Sequence, residues 1–489
     1  MNLLLLLIIV GLVAVISVVI FRSVALSSRQ IESIPASMVV LDTDALAGRL
    51  VMAIQFQTIS YEDRTRFNKE EFIGFQKFLE QYFPKVHAVM KKEIVGDYSL
   101  LYTLKGRDDK ELPILLAAHM DVVPAESESG SNWTYPPFQG HIADGFIWGR
   151  GTLDDKESVL GILEAMEKLL QDGYMPRRTT YIAFGHDEEI GGQHGAAKIA
   201  ELLNSRGVKL DYVLDEGLTI TEGMVPNISK PVALVGIAEK GCLSIKLSVE
   251  GEGGHSMMPP RQTAIGILSS AISKLEQNKF PARMEAPVRK MFETLSPEMP
   301  FGMRVVFANL WLFEGLVKKK LASAPRTNAL VRTTAVPTIF QAGVKENILA
   351  TKARAIVNYR LLPGETINKV LLNIRKTVND PRVKIVTLEG LKSDPSNIAD
   401  TESKGYKAVQ LAIRQVFPQA LVAPGLVVAV TDSRHYWAMT GNILHFSPIR
   451  LRSDDLQRFH GTDERISAED YRNAVNFYAQ LIRNEGTIQ

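Results

Sequence analysis

Short apolar runs alternate with stretches of helical spacing through the first half of the chain, and this alternation limits the fold more than any other feature. Residues 113–118 (PILLAA), 179–184 (TTYIAF) and 212–214 (YVL) have the continuous apolar character of strands buried on both faces. Residues 158–170 place Leu, Ile and Met at helical spacing, and 195–203 read as another helix. Strands alternating with helices predict an α/β fold, a mostly parallel sheet with helices on both faces. Near residue 238 the texture changes. Residues 242–250 (CLSIKLSVE) and 353–360 (ARAIVNYR) alternate apolar and polar, the period of a half-exposed strand, and helices are predicted over 263–275 and 367–378. An α+β insert with a one-faced antiparallel sheet is therefore expected. After residue 403 the first texture returns, with a helix to 416, a strand over 426–430 and a last helix from 468. The expected division is one domain over 45–238 and 391–489, interrupted by an insert over 239–390.

Residues 3–21 are uninterrupted apolar or small, nineteen in all and just long enough to cross a bilayer as a helix. A transmembrane anchor or a signal peptide is expected over 1–22, followed by a stalk over 23–44. No Lys or Arg precedes the run, and residues 24–27 (VALS) make only a tolerable cleavage site. Arg22 and Arg29 follow it, which by the positive-inside rule would keep the body cytoplasmic. Beyond this segment, 46% hydrophobic and 22% charged residues allow an ample core and exclude a mainly disordered chain. Lys+Arg 56 against Asp+Glu 54, without charge runs, argues against nucleic acid as a partner. Cys242 is the single cysteine, so any metal must be held by histidines and carboxylates.

Those residue types gather where the predicted strands end. His119 and Asp121 close the PILLAA strand and point to the same side. Ligand sites of open α/β sheets lie outside the carboxyl ends of the strands. A His-x-Asp there can bind metal through the imidazole while the aspartate orients it, or can simply cap the strand. Asp154 lies in GRGTLDDK, where a carboxylate can bridge two cations or cap the next helix. Asp187, Glu188 and Glu189 follow the TTYIAF strand. Three acids there repel one another unless a cation holds them, and the alternative is a solvated acidic loop. Asp215 and Glu216 end YVLDEG, and His460 lies far downstream in FHGTDE. Solvated surface rarely repeats such residues at the same place on successive strands, so together they point to a metal site.

The segments HMDVVP, GRGTLDDK, DEEIGG, LDEG and HG-x-x-E, in this order, resemble the zinc aminoacylase and carboxypeptidase family over residues 44–483. The stretches NLWLFEGL, TNALVRTTAVPTIFQAGVKEN and TDSRHY resemble a secreted branch of it that acts on N-fatty-acyl amino acids. The resemblance implies a di-zinc exopeptidase fold in which the insert is a lid and dimerisation domain. It implies two Zn²⁺ ions: His119 on one, oriented by Asp121; Asp154 bridging both; Glu189 and His460 on the second. The acid completing the first site is Asp215 or Glu216, with Asp215 favoured. Glu188 would be the general base. His255, in GEGGHSMMPP, would reach the substrate carbonyl, in some members from the partner subunit. Asn347 and Arg360 would hold the reacting carbonyl and the substrate's free carboxylate.

The implied reaction is hydrolysis of N-acyl amino acids, running in reverse where water activity is low. One rival is a zinc carboxypeptidase or dipeptidase acting on peptides. Another is a membrane-tethered binding protein without catalysis, against which the intact Glu188 and full ligand set argue. A small-molecule acyl amino acid or peptide is the expected substrate, with a membrane contact through the N-terminal segment and a homodimer through the lid. Likeness to a secreted branch outweighs the two arginines, so the body is expected outside the cytoplasm, anchored or secreted. The apolar stretch 301–317 (FGMRVVFANLWLFEGLV) is open to several uses: a fatty-chain pocket, a dimer contact, a membrane contact or core packing. His435 is expected near the pocket, and His87, His141, His186, His194 and His445 are expected to be structural.

Overall fold

The computed structural model describes all residues except 1–2, 33–35, 37, 126–131, 389, 391 and 487–489. Residues 33–35 and 37 of the expected stalk thus lie outside the described residues, as do 1–2 of the apolar segment.

An eight-stranded sheet forms the centre. Its order is Lys91–Val95, Ser99–Leu104, Thr180–Gly185, Ile114–His119, Val213–Thr221, Ile443–Leu451, Val232–Glu239 and Leu421–Val427. The four strands beginning at 180, 114, 213 and 443 are mutually parallel. The pairings of Ser99–Leu104 with its neighbours are antiparallel, so the sheet is mixed but mostly parallel in the middle. The strand period of two sends alternate residues to opposite faces. Ile114, Leu116 and Ala118 pack with the helices Lys156–Gln171 and Ala468–Gly486, while Leu115 and Ala117 pack with Ala196–Ser205 on the other side.

A second, four-stranded antiparallel sheet has the order Thr334–Ala342, Lys352–Leu361, Gly241–Glu250, Lys384–Thr387. Leu243, Ile245, Leu247 and Val249 all turn to one face, covered by the helices Ala264–Gln277 and Ile367–Val378. The predicted helices lie within two residues of those observed at almost every end. The strand expected at 426–430 instead runs over Leu421–Val427, and Val428–Val430 turn out of the sheet. The apolar stretch 301–317 forms two short helices, Phe301–Ala308 and Leu310–Leu321. Phe307, Leu310 and Val317 pack with Leu421, Ala423 and Leu426 at the edge of the central sheet.

The helix Leu3–Val24 has a mean hydropathy of 3.5 and is almost wholly exposed, the length and composition of a membrane-crossing helix.

Candidate metal centre

The strand Ile114–His119 pairs in parallel with Thr180–Gly185 on one side and Val213–Thr221 on the other. That register brings three strand ends side by side. His119 and Asp121 leave the middle strand, Asp187–Glu189 follow one neighbour, and Asp215–Glu216 lie in the other. Two loops complete the group. One is the turn after Trp148 that carries Asp154, and the other carries His460.

Glu464 fastens these two loops to each other. Its buried carboxylate accepts from Gly151 N at 2.9 Å, Leu153 N at 2.8 Å and the Arg150 guanidinium at 2.5 Å. Arg150 donates again to the Gly461 carbonyl at 3.0 Å. The carboxylate of Asp154 thereby stands between two imidazoles. Its Oδ1 is 2.9 Å from His119 Nε2, and its Oδ2 is 3.1 Å from His460 Nε2. Glu216 Oε1 lies 3.3 Å from His119 Nε2, and Glu189 Oε1 lies 3.3 Å from His460 Nε2. His119, Asp154 and Glu216 make one set whose ligand atoms lie within 4.8 Å of one another, and Asp154, Glu189 and His460 make a second.

Each set offers one imidazole and two carboxylates, a donor combination suited to a divalent ion such as zinc. The electrostatics fit the same use. Burial, then the charge of Asp154, raises Glu216 to about 7. Burial, reinforced by Asp154, also raises Glu189. Asp154 itself is held low, because hydrogen bonds with His119 and His460 outweigh its own burial. Bonds to Asp154 and Glu189 raise His460 to about 10. Acids that crowd together and grip a proton this firmly are poised to exchange it for a dication.

Asp215 departs from the sequence-based expectation. Its carboxylate turns away from His119, accepting from Glu216 N at 3.0 Å and Ser433 N at 2.8 Å. Glu216 occupies the place expected for it. Asp121 touches His119 from behind, 3.4 Å from Nδ1, and accepts from the amides of Glu188 and Glu189 at 3.1 Å each and from the Ser60 hydroxyl. Glu188 belongs to neither ligand set but lines the same cleft. Burial pushes its carboxyl well up; nearby His119 opposes this, and Asp432 and Glu216 reinforce it.

The cleft encloses about 430 Å³. Asp154, Glu188, Glu189, Glu216 and His460 form its polar end. Leu218, Val427, Val428, Val430 and Phe459 supply an apolar wall, and Arg360 enters from the second sheet. Among the described residues Arg360 has no ion-pair partner, and it lines the cleft. His255 and Asn347 lie together elsewhere. Ser256 N donates to the Asn347 carbonyl at 3.0 Å, and exposed His255 pairs with Ile348. Neither lines the cleft within one chain.

His435 sits behind the Glu189–Gly192 turn, 3.3 Å from the Gly191 carbonyl, and burial lowers it to about 4. His186 holds Ser99 Oγ at 2.7 Å, and His87 holds the Phe83 carbonyl at 2.8 Å. Three acids have roles that sequence reading did not assign. Glu464 is the clasp just described, its only signal being its place in FHGTDE. Asp187 accepts from His194 N and Gly195 N at 2.8 Å each, closing the turn before the next helix. Asp432 is buried against two glycines, where a Cβ on Gly185 or Gly192 would come within 2.4 or 2.0 Å of its carboxylate.

Comparison with known proteins agrees with this geometry. Residues 115–484 match the model of peptidase family M20/M25/M40. The chain is 45% identical over 452 residues to a carboxypeptidase S-like protein of Dictyostelium discoideum, covering 92% of this chain and 86% of that one. It is 43% identical over 487 residues to the N-fatty-acyl-amino acid synthase/hydrolase of Xenopus tropicalis, covering 98% and 94%. Among solved structures, an M20 family metallo-carboxypeptidase from Sulfolobus solfataricus superposes with a TM-score of 0.70 at 18% identity, covering 92% of this chain and 100% of that one.

Proposed function

The chain belongs to peptidase family M20/M25/M40, and from that membership we propose a zinc-dependent amidohydrolase that cleaves, and in reverse forms, the amide bond of N-fatty-acyl amino acids. The observation that carries this reading is the cleft. It sets a carboxylate-rich metal centre, an unpaired guanidinium and an apolar wall around one cavity. An N-acyl amino acid has a matching triad of amide, free carboxylate and hydrocarbon chain. Relatives at 43% and 45% identity carry names from the fatty-acyl and carboxypeptidase branches, and the apolar wall favours the first.

Two zinc ions, one on His119, Asp154 and Glu216 and one on Asp154, Glu189 and His460, would polarise the amide carbonyl and acidify water. Everything else falls to the chain. Asp121 fixes the ring of His119 from behind. Glu188, outside both ligand sets, takes a proton from the attacking water and passes it to the leaving amine nitrogen. Its upward shift suits a carboxyl that must hold that proton between the two steps. Arg360 pairs with the substrate carboxylate through its planar fork. His255 and Asn347 meet the reacting carbonyl from a lid, formed by residues 239–390, that closes over the body formed by 45–238 and 391–489. The strand Thr334–Ala342 at the lid's edge exposes Val336, Ile339 and Phe340. Such an edge is a template for pairing with a second copy, which could supply the lid histidine.

The helix Leu3–Val24 serves in this reading as a retained single-pass anchor, with the body outside the cytoplasm. The buried amide of Asn309 lies 3.1 Å from the Val19 carbonyl and 3.2 Å from Ser23 Oγ, a contact that cleavage after the helix would discard.

The test compares three substrates on the zinc-loaded full chain: an N-acyl amino acid, the same molecule with its carboxylate amidated, and a dipeptide. The first should turn over well and the second poorly, because amidation removes the partner of Arg360. A dipeptide turned over faster than the acyl amino acid would replace this reading with a peptidase.

A further inference from the structure

The helix pair Phe301–Ala308 and Leu310–Leu321 has a second face that the core does not use. Leu310 and Val317 turn inward, but Trp311 is 53% and Leu316 63% exposed, with Leu312 exposed beside them. Two rows run along that face, Trp311–Gly315–Lys319 and Leu312–Leu316–Lys320, each stepping by four residues as side chains on one helical face do. Large apolar groups on one face of a surface helix, ending in lysines that can snorkel, are the pattern of a helix lying in a membrane interface.

The position of the pair relative to the N-terminal helix supplies the occupant. From Leu3 to Phe21 that helix extends about 28 Å, close to the thickness of a hydrocarbon core. Its Val19–Ser23 turn therefore marks the level where hydrocarbon gives way to headgroups. Asn309, which joins the two short helices, docks on that turn through its side-chain amide. The same side chain accepts from Trp311 Nε1 at 3.2 Å. The indole is thus held at interface depth with its polar edge satisfied and its ring exposed, the usual placement of tryptophan in membrane proteins. A groove of about 570 Å³ at this level is lined by Phe21, Leu26 and Trp311 together with Arg22 and Arg29.

We propose that Leu310–Leu321 lies in the headgroup region of the bilayer crossed by Leu3–Val24, as a second, in-plane membrane contact built on Trp311, Leu312 and Leu316. This rests on the reading of Leu3–Val24 as a retained anchor. The contact holds the body against the leaflet through the sheet edge to which these helices are packed. The neighbouring strand Leu421–Val427 ends in the apolar wall of the cleft, so the site faces a phase in which fatty acyl chains dissolve.

The experiment uses the full chain in phosphatidylcholine vesicles, with and without acyl-brominated phosphatidylcholine as a quencher of tryptophan emission. An alkaline carbonate wash reports on the anchor separately. The expected result is a protein that stays in the vesicles and shows strong lipid quenching, most of which is lost in Trp311→Phe. Turnover of a water-soluble acetyl amino acid, unchanged in that variant, confirms folding. Retention on washing with equal quenching in both proteins would overturn the in-plane contact while leaving the anchor standing. So would shielding of Trp311 from brominated lipid and from aqueous acrylamide alike, which would mean a second copy of the chain covers it. Release on washing would remove the anchor and the inference together.

Discussion

Glu188 and Glu189 are adjacent acids, and their surroundings separate the tasks proposed for them. Glu189 stands 3.3 Å from His460 Nε2, inside a ligand set, whereas Glu188 stands outside both sets with its carboxyl pushed up by burial. Glu188→Gln should therefore lower kcat by at least about 100-fold, the low end for a lost general base, while elemental analysis still finds two metals per chain. Loss of metal in that variant would make Glu188 a ligand. Asp215 and Glu216 invite the same comparison. Glu216→Ala should bind one metal fewer, because its oxygen faces His119. Asp215→Asn should keep both metals and lose only stability, because its carboxylate serves two backbone amides. The reverse outcome would restore Asp215 as the ligand. Sequence could not separate these two. Successive residues of a strand point to opposite sides, and which side faces the metals is set by the Ser433 turn, 218 residues downstream.

At the scale of elements, the site is three strand ends and two loops, and the loops depend on one side chain. Glu464 is fully buried and gathers two amides and a guanidinium. Glu464→Ala leaves those donors without a partner, at a cost of about 3–5 kcal/mol for a broken buried ion pair. It should also weaken metal binding, since Asp154 and His460 ride on the loops it joins. Calorimetric unfolding and zinc titration would show both effects, and a variant with normal zinc affinity would reduce Glu464 to a stabiliser. The strand ends were legible because residues 114–118 and 181–184 are apolar without a break and are followed within two residues by His, then acids. Glu464 was not, since an acid three residues beyond Gly461 reads like any solvated loop. The stretch 301–317 was legible as apolar but not in its use. An apolar helix looks the same in sequence whether it meets a sheet edge, as Phe307 and Leu310 do, or faces outward, as Trp311 does.

Across the whole molecule, the fold followed from the alternation of strands and helices, and the antiparallel second sheet from the change of period after residue 238. His255 and Asn347 stand away from the cleft, and the place proposed for them in the reaction depends on closure of residues 239–390 or on a second copy. The central claim concerns what the assembled cleft accepts. The most direct measurement is kcat/KM on the zinc-loaded full chain for one amino acid acylated with chains from acetyl to dodecanoyl, beside a dipeptide series. Each methylene buried against Leu218, Val427, Val428 and Phe459 should add about 0.8 kcal/mol, close to fourfold, until the wall is filled. The account predicts a steep rise that then levels off, with dipeptides well below the plateau. A flat profile with dipeptides turned over as well as the longest acyl chain would contradict it.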